Sequence, residues 1–442
     1  MALNITKNIN SKFNSCYRPI ITEIEDTNIN TAFLRGELYS ESVFGSNVYQ
    51  NTGILINAYE AKSGTGIFRF NLMEYTRHFM DDSCIFDNVF TFPSGDNLST
   101  RFKFIAWSVV YDPNNPGILI DDLNNSVTTN VFAVIPTITK EDESTGISNN
   151  YISVDSFVLG FNSSNTSPNN HKFLTNLPSG HTQYVIGGEG IRDSIYIPVK
   201  PNSSYPNFSI KYTDVATGNY YEMNPSITAN MSIFRAPIHP IMIELLALIN
   251  GVSSGSSAAG SGLFYSGGGL TSKEVKIEAI IWNTTSSVNT EVKKIKYVDK
   301  TSCNKTKFIF KNMRGGYDWF DATGTETKGV SVSGKTFDKY VSYTGEPRGS
   351  HGTSNLWTER TDSYSVFSQP LTKEYATWIE ELITSPTVWI EKSIENPSTA
   401  SNSILLPIMI NKGSYKTYTT EDGVHFIEFK YTLSNNIGTQ RN

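Results

Sequence analysis

The chain has 442 residues, with 36 Lys and Arg against 42 Asp and Glu, a formal net charge of −6. A groove-binding nucleic-acid protein gains affinity by neutralising phosphates, so this mildly acidic balance, with no long basic run, argues against tight DNA binding. It leaves room for a surface past which DNA slides without adhering. At roughly 150 residues per domain, the length fits two or three domains. Charged residues make up 18% of the chain and aromatics 12%. Ordinary globular chains carry about 25% charged residues. Here Asn, Ser, Thr and Gly fill the difference, the palette of solvated β-sheets and long turns.

Three cysteines, Cys16, Cys84 and Cys303, lie far apart and form no CxxC. That disfavours a zinc knuckle or a disulfide framework and fits reduced thiols in a protein folded in a cytoplasm. The opening MALNITKNINSKFNS lacks the apolar core of a signal peptide, and no run reaches the ~18 apolar residues of a membrane-spanning helix. The N-x-S/T sequons, such as those at Asn162 and Asn283, are chance in a chain of this composition.

In chain order, short apolar runs at Phe33 to Leu38, Ile54 to Ala58 and Ile67 to Phe70 read as strands. Leu72, Tyr75, Phe79 and Met80 recur at helical spacing and predict a short amphipathic helix over 71–81. Phe102, Phe104, Ala106, Ser108 and Val110 alternate as a half-buried strand, closed by the turn DPNNPG. Strand character resumes over 130–139. The stretch 140–235 is looser, with strands expected at Ile152 to Leu159, Ile195 to Val199 and Phe208 to Tyr212. HPIMIELLALIN at 239–250 follows, with Pro240 placed for a first helical turn and Ile243, Leu246 and Ile249 on one face.

The Gly/Ser-rich segment 251–271 is the clearest break in composition and reads either as a linker or as an arm that orders against a neighbouring subunit. Beyond it, Val275, Ile277, Ala279 and Ile281 alternate, and Ile295, Tyr297, Phe308 and Phe310 continue the sheet. TKEYATWIEELITSP at 372–386 is the best helix: Thr372 caps it, Tyr375, Trp378, Ile379, Leu382 and Ile383 form its stripe, and Ser385-Pro386 ends it. Strands are expected at 387–392, 403–410 and 425–432. The expected fold is mainly β, with tandem Ig-like β-sandwich domains that each carry a short helix. Their expected extents are an N-terminal sandwich over 1–138, a loop-rich β domain over 139–250, the 251–271 segment, and a C-terminal sandwich over 272–442 with its helix at 372–385.

Chemistry-bearing patterns are sparse. The histidines at 78, 171, 181, 239, 351 and 425 show no metal-ligand spacing, and neither a catalytic constellation nor a cofactor site is expected. Gly251-Val252-Ser253-Ser254-Gly255 has the letters of a nucleophile elbow but follows a helix and precedes a Gly/Ser tract, the wrong context for a strained strand-to-helix turn. Gly187-Gly188-Glu189-Gly190 lacks the lysine and βαβ setting of a phosphate loop. Asp81-Asp82, Asp121-Asp122 and Glu380-Glu381 are adjacent acids whose side chains point apart, unlike a glycosidase pair across a cleft. One structural motif stands out, the turn FIFKNMRGGYDWFDATG at 308–324. There Gly315-Gly316 permits a sharp reversal, Tyr317, Trp319 and Phe320 pack back on the sheet, and Asp318 is placed to accept from turn amides.

Taken together, Arg18-Pro19-Ile20-Ile21, GTGIFRFNLMEYTRHF at 64–79, the Asn312, Gly315, Gly316, Tyr317, Asp318 turn, LTKEYATWIEELITSPTVWI at 371–390, LLPIMINKGSYKTY and the closing HFIEFKYTLSNNIGTQRN resemble virion proteins of crAss-like tailed bacteriophages, in particular ring proteins of the tail barrel. The likeness touches both ends of the chain and not its middle, and Arg314 stands where the pattern has an aliphatic residue. The resemblance implies a structural subunit, not an enzyme. It implies a homo-oligomeric ring in a multiple of six, contacts with portal-adjacent and other tail proteins, DNA passing through the lumen without specific binding, no membrane partner, and assembly in the bacterial cytoplasm into the virion tail. Two other classes remain open: a receptor- or glycan-binding fibre protein, and a tail-associated depolymerase.

Overall fold

A computed structural model describes residues 3–9, 13–16, 19–28, 30–41, 47–60, 66–79, 100–115, 117–135, 172–185, 193–199, 206–224, 232–250, 262–266, 269–298, 305–338, 353–393, 403–411, 425–434 and 438–441. The protein is mainly β, and its chain divides into two compact units. The first takes 1–181, 191–297 and 312–317; the second takes 182–190, 298–311 and 318–442.

The first unit opens with β1 (Asn4–Lys7), β2 (Phe13–Ser15), β3 (Ile21–Glu25), β4 (Thr31–Glu41), β5 (Tyr49–Ala58), β6 (Ile67–Asn71), α1 (Met73–Arg77), β7 (Thr100–Tyr111), β8 (Leu119–Thr128) and β9 (Phe132–Ile135). One sheet runs β1-β3-β6, and a larger one runs β2-β9-β7-β4-β5 with β8 also on β7. Alternating residues of both sheets meet in one core: Ile24, Phe68 and Phe70 from the first, and Leu34, Leu38, Phe102, Phe104 and Phe132 from the second. The rings of Phe70 and Phe104 meet edge to face at 4.8 Å, the geometry their quadrupoles favour. Gly36 is needed beside them, since a Cβ there would lie 2.1 Å from the Phe104 ring.

Helix α1 is shorter than the 71–81 expected from periodicity. Its N-cap is the apolar Leu72, with no side-chain cap bond, and the Thr76 hydroxyl folds back on Met73 O at 3.0 Å, local bonding that competes with helix continuation. Met80 and Asp81 lie outside the described residues. The DPNNPG turn closes on Asp112, whose carboxylate accepts from Asn114 N and from Asn115 Nδ2.

Next come β10 (His181–Tyr184), β11 (Ser194–Val199), β12 (Asn207–Asp214), β13 (Tyr220–Met223), β14 (Ser232–Pro237), α2 (Pro240–Asn250), β15 (Tyr265–Ser266), β16 (Gly269–Leu270), β17 (Glu274–Trp282), β18 (Ser287–Asn289) and β19 (Lys293–Val298). Strands β13, β12, β17 and β19 pair in that order, with β18 hairpinned on β17. The ladder from Asn207↔Trp282 to Asp214↔Val275 ties β17 to β12. The division therefore does not fall at 251–271. The expected boundary at 272 would cut through this sheet, and 272–297 belongs with the middle segment. Helix α2 starts on Pro240 as the sequence indicates, and buries Met242, Ile243, Leu246 and Ala247. Residues 251–261, the strand expected at 152–159 and the end of the one expected over 130–139 lie outside the described residues.

The second unit holds β20 (Thr306–Lys311), β21 (Tyr317–Ala322), β22 (Glu326–Asp338), β23 (Thr353–Phe367), α3 (Lys373–Thr384), β24 (Val388–Ser393), β25 (Ser403–Ile410), β26 (Glu428–Leu433) and β27 (Gly438–Arg441). Its sheet runs β21-β20-β24-β25-β26-β23-β22, with β27 also on β23. Phe308 meets Phe429 at 5.1 Å, and Ile427, Phe429 and Tyr431 are buried while Glu428 and Lys430 are exposed, the alternation read from sequence. In α3 the Thr372 side chain accepts from Tyr375 N, and Ala376, Trp378, Ile379 and Leu382 are buried.

Candidate functional site

The motif at 308–324 forms a turn between β20 and β21. Asn312 N donates to Gly316 O at 2.9 Å and Gly315 N to Asn312 O at 3.1 Å. Gly315 has φ 91°, a left-handed conformation that favours glycine. At Gly316 the reason is space: an added Cβ would lie 2.5 Å from the carbonyl oxygen of Leu174.

The acceptor for the turn amides is Asn312. Its Oδ1 receives Arg314 N at 2.9 Å and Gly316 N at 3.1 Å, while its Nδ2 donates to Leu174 O at 2.8 Å. Arg314 adds a second clamp, Nη1 donating to Phe173 O at 3.1 Å and to Thr175 O at 2.9 Å. An aliphatic residue has no donor to give these carbonyls, so the departure at 314 has a structural use here. Tyr317 meets Tyr196 edge to face at 6.1 Å. Residues 312–317 thus fasten onto the segment 173–175, more than a hundred positions away in sequence, and no local pattern announces that contact.

Asp318, expected to serve the turn amides, instead receives the indole N–H of Trp378 at 2.8 Å. The same indole packs against Phe310 and Phe320 at 5.7 and 6.2 Å. Trp319 is 1% exposed. Every member of the motif is thereby accounted for by packing, turn geometry or a structural hydrogen bond.

Other charged groups in the interior are also paired. Lys307 faces Glu391 across β20 and β24 at 3.8 Å, and Lys305 lies 3.7 Å from Asp321. Arg101 meets Glu41 at 3.0 Å. Ion pairs removed from water must be matched to persist, and these carry opposite charges face to face. Among the described residues, no group of three or more His, Cys, Asp or Glu is placed to hold a metal ion. Of the sequence candidates, Asp121 pairs with Arg35 at 2.9 Å, Glu381 is buried on α3, and His181, His239 and His425 are buried. The segments 251–255 and 187–190, and His171, His351 and Asp81-Asp82, lie outside the described residues.

Unusual exposure is found at sheet margins. All thirteen residues of β22 are exposed, on both faces, and the strand is the last in its sheet. Val330 and Val332 are 52% and 64% exposed. On the β7–β8 hairpin, Tyr111, Ile118, Leu119, Ile120 and Leu123 are all exposed. No helix among the described residues is long and apolar enough to cross a membrane.

Neither a protein-family model nor a curated protein matches the chain.

Proposed function

We propose that this chain is a structural subunit of a tailed-bacteriophage virion, assembling as a homo-oligomeric ring in the tail barrel around the channel through which DNA and ejected proteins pass. The observation that carries the reading is β22, a thirteen-residue edge strand exposed on both faces. A solitary soluble protein shields its sheet edges with charge, proline or short strands, because an open ladder templates pairing with another chain. Here the charges stand toward the two ends of the strand and its middle is uncharged, an edge that an assembling subunit can complete with a strand of a copy or of a sister protein. The net charge of −6 agrees with a wall that does not hold DNA, provided acidic side chains face the lumen.

The interior ion pairs and the clamped turn are explained by structure, which is the economy of a building block. Exposed Tyr59 and Tyr111 favour a second reading, a receptor- or glycan-binding virion protein, since aromatic faces stack on sugars. Negative-stain electron microscopy of the purified chain, with its mass in solution, tests the first reading. Rings with a multiple of six subunits are expected. A monomer that binds a defined glycan, or that cleaves capsular polysaccharide, overturns it.

A further inference from the structure

We infer that the open edge of β22 pairs, antiparallel and two-fold, with the same edge of a second copy of this chain, with Ser331 at the centre of the register. The stretch Gly329-Val330-Ser331-Val332-Ser333-Gly334 carries no charge and no proline, in a strand exposed throughout. Short uncharged windows of β-branched residues on a long edge are where strands add. Among the described residues, β22 pairs only with β23, from Glu326↔Val366 to Asp338↔Thr353.

Two-fold symmetry restricts the register. A dyad perpendicular to the sheet must keep opposed side chains on one face, so one residue faces its own copy. Centred on Ser331, each Val330 stands opposite the other copy's Val332, Lys328 opposite Gly334, and Lys335 opposite Thr327. No like charges are directly opposed. Centred one residue later, on Val332, the same strands would set Glu326 against Asp338, a repulsive pair.

The face carrying the valines supports the same choice. Across the β22–β23 ladder, Val330 is paired with Asp362 and Val332 with Arg360. Asp362 is held by Arg360 at 2.7 Å and by Lys328 at 2.5 Å. Asp362 and Arg360 stand on β23 and Lys328 of β22 is drawn toward Asp362, so the two valines are left beside an edge that no other described strand covers. Pairing would join four valines into one apolar patch at the centre of a four-stranded ribbon. On the other face Gly329, Ser331 and Ser333 are small enough for close approach. The inference goes beyond the ring reading, since a two-fold contact closes on itself and other surfaces would have to link pairs into a ring.

Ser331→Cys tests it on the full chain. Directly opposed residues of an antiparallel pair lie about 4.5–5.5 Å apart at Cα, within disulfide reach. Mild oxidation is expected to give a covalent dimer on a non-reducing gel at least tenfold faster than the parent chain or Lys335→Cys. The double variant Val330→Lys with Val332→Lys, at exposed positions where the fold tolerates charge, is expected to halve the sedimenting mass of the pair while leaving the far-UV signal of the folded chain unchanged and its melting temperature independent of concentration. A Ser331→Cys chain that cross-links no faster than the parent, with the double variant sedimenting like the parent, overturns the pairing. Rings without the cross-link overturn this pairing and leave the ring reading standing. Cross-linked dimers that never form rings sustain the pairing and overturn the ring reading. A chain that stays monomeric and uncross-linked leaves the edge to a strand of another protein, and overturns the self-pairing.

Discussion

The indole N–H of Trp378, on α3, donates to Oδ2 of Asp318, on β21, at 2.8 Å, with Trp378 3% and Asp318 1% exposed. The bond is directional, whereas the surrounding rings of Phe310, Phe320 and Tyr375 offer packing contacts, so it is the interaction best suited to set the rotation of the helix against its sheet. Replacing Asp318 by Ala strands the indole donor in the interior, and leaving a buried donor unsatisfied costs about 1–3 kcal/mol. Trp378→Phe keeps most of the apolar area and removes the donor. A double-mutant cycle in urea is expected to give a coupling of about 1–3 kcal/mol. Additive losses would mean that packing alone sets the helix.

At the turn, two adjacent glycines fail for different reasons. Gly315→Ala forces a side chain into a left-handed conformation, at about 1–2 kcal/mol. Gly316→Ala drives a methyl to 2.5 Å from the backbone oxygen of Leu174, which cannot rotate away. The strand start must shift, and overpacking of this kind costs typically about 1–3 kcal/mol. Together the pair is expected to lose more than either alone but less than the sum, because a displaced turn relieves both strains. Thermal melting of the three variants measures this.

How far the sequence foretold this arrangement depends on whether burial left a periodic mark. Strands β17 and β26 bury one face each and β12 mainly one, so their apolar residues alternate; β7 shows the same alternation at Phe102, Phe104 and Ala106, although Trp107 and Val109 on its other face are buried too. Helix α3 has both a cap and a stripe. In β22 and β23 the signal fails: Glu326–Asp338 is exposed on both sides, and its composition is that of a loop. The same exposure that hid the strand makes it the best candidate for a contact surface. The division into two units was not legible for another reason. Gly/Ser composition marks where a chain is free to bend, whereas membership of a sheet depends on partners such as β12 and β17, which sequence alone does not pair. In the turn, the glycines and Asn312 were legible, but their fastening to residues 173–175 was not, and Asp318 was given the role that Asn312 performs.

Arg314 offers a direct test of the fastening. Its Nη1 serves two backbone carbonyls, of Phe173 and Thr175. Hydrogen bonds to charged groups contribute about 1.5–3 kcal/mol, so Arg314→Leu is expected to lose stability in that range. Arg314→Lys should recover only part of it, because an ammonium is a point charge without the planar fork. Hydrogen exchange at the amides of 173–177 would rise in the Leu variant while exchange in β7 stays unchanged. Equal rates in parent and variant would remove the clamp from the account.

Asp214, at the end of β12, gives the protein a predictable acid sensitivity. Burial by itself would raise its pKa, but hydrogen bonds from the Ser272 hydroxyl at 2.6 Å, from the Thr217 hydroxyl and amide, and from Ala216 N outweigh it and hold the carboxyl below the ordinary Asp value. A folded-state pKa below the unfolded one, about 3.9, means that the folded state binds the proton less readily. The stabilisation is therefore fully present above that value and is lost as pH falls through the lower, folded one. Asp214→Asn keeps the shape but not the charge and can no longer gain from deprotonation. Between pH 5 and pH 2 the parent is expected to lose stability more steeply than the Asn variant, with the two curves converging at the acid end, read by urea midpoints at fixed salt. A parallel pair of curves would show that the Ser272 and Thr217 bonds do not distinguish carboxylate from carboxylic acid.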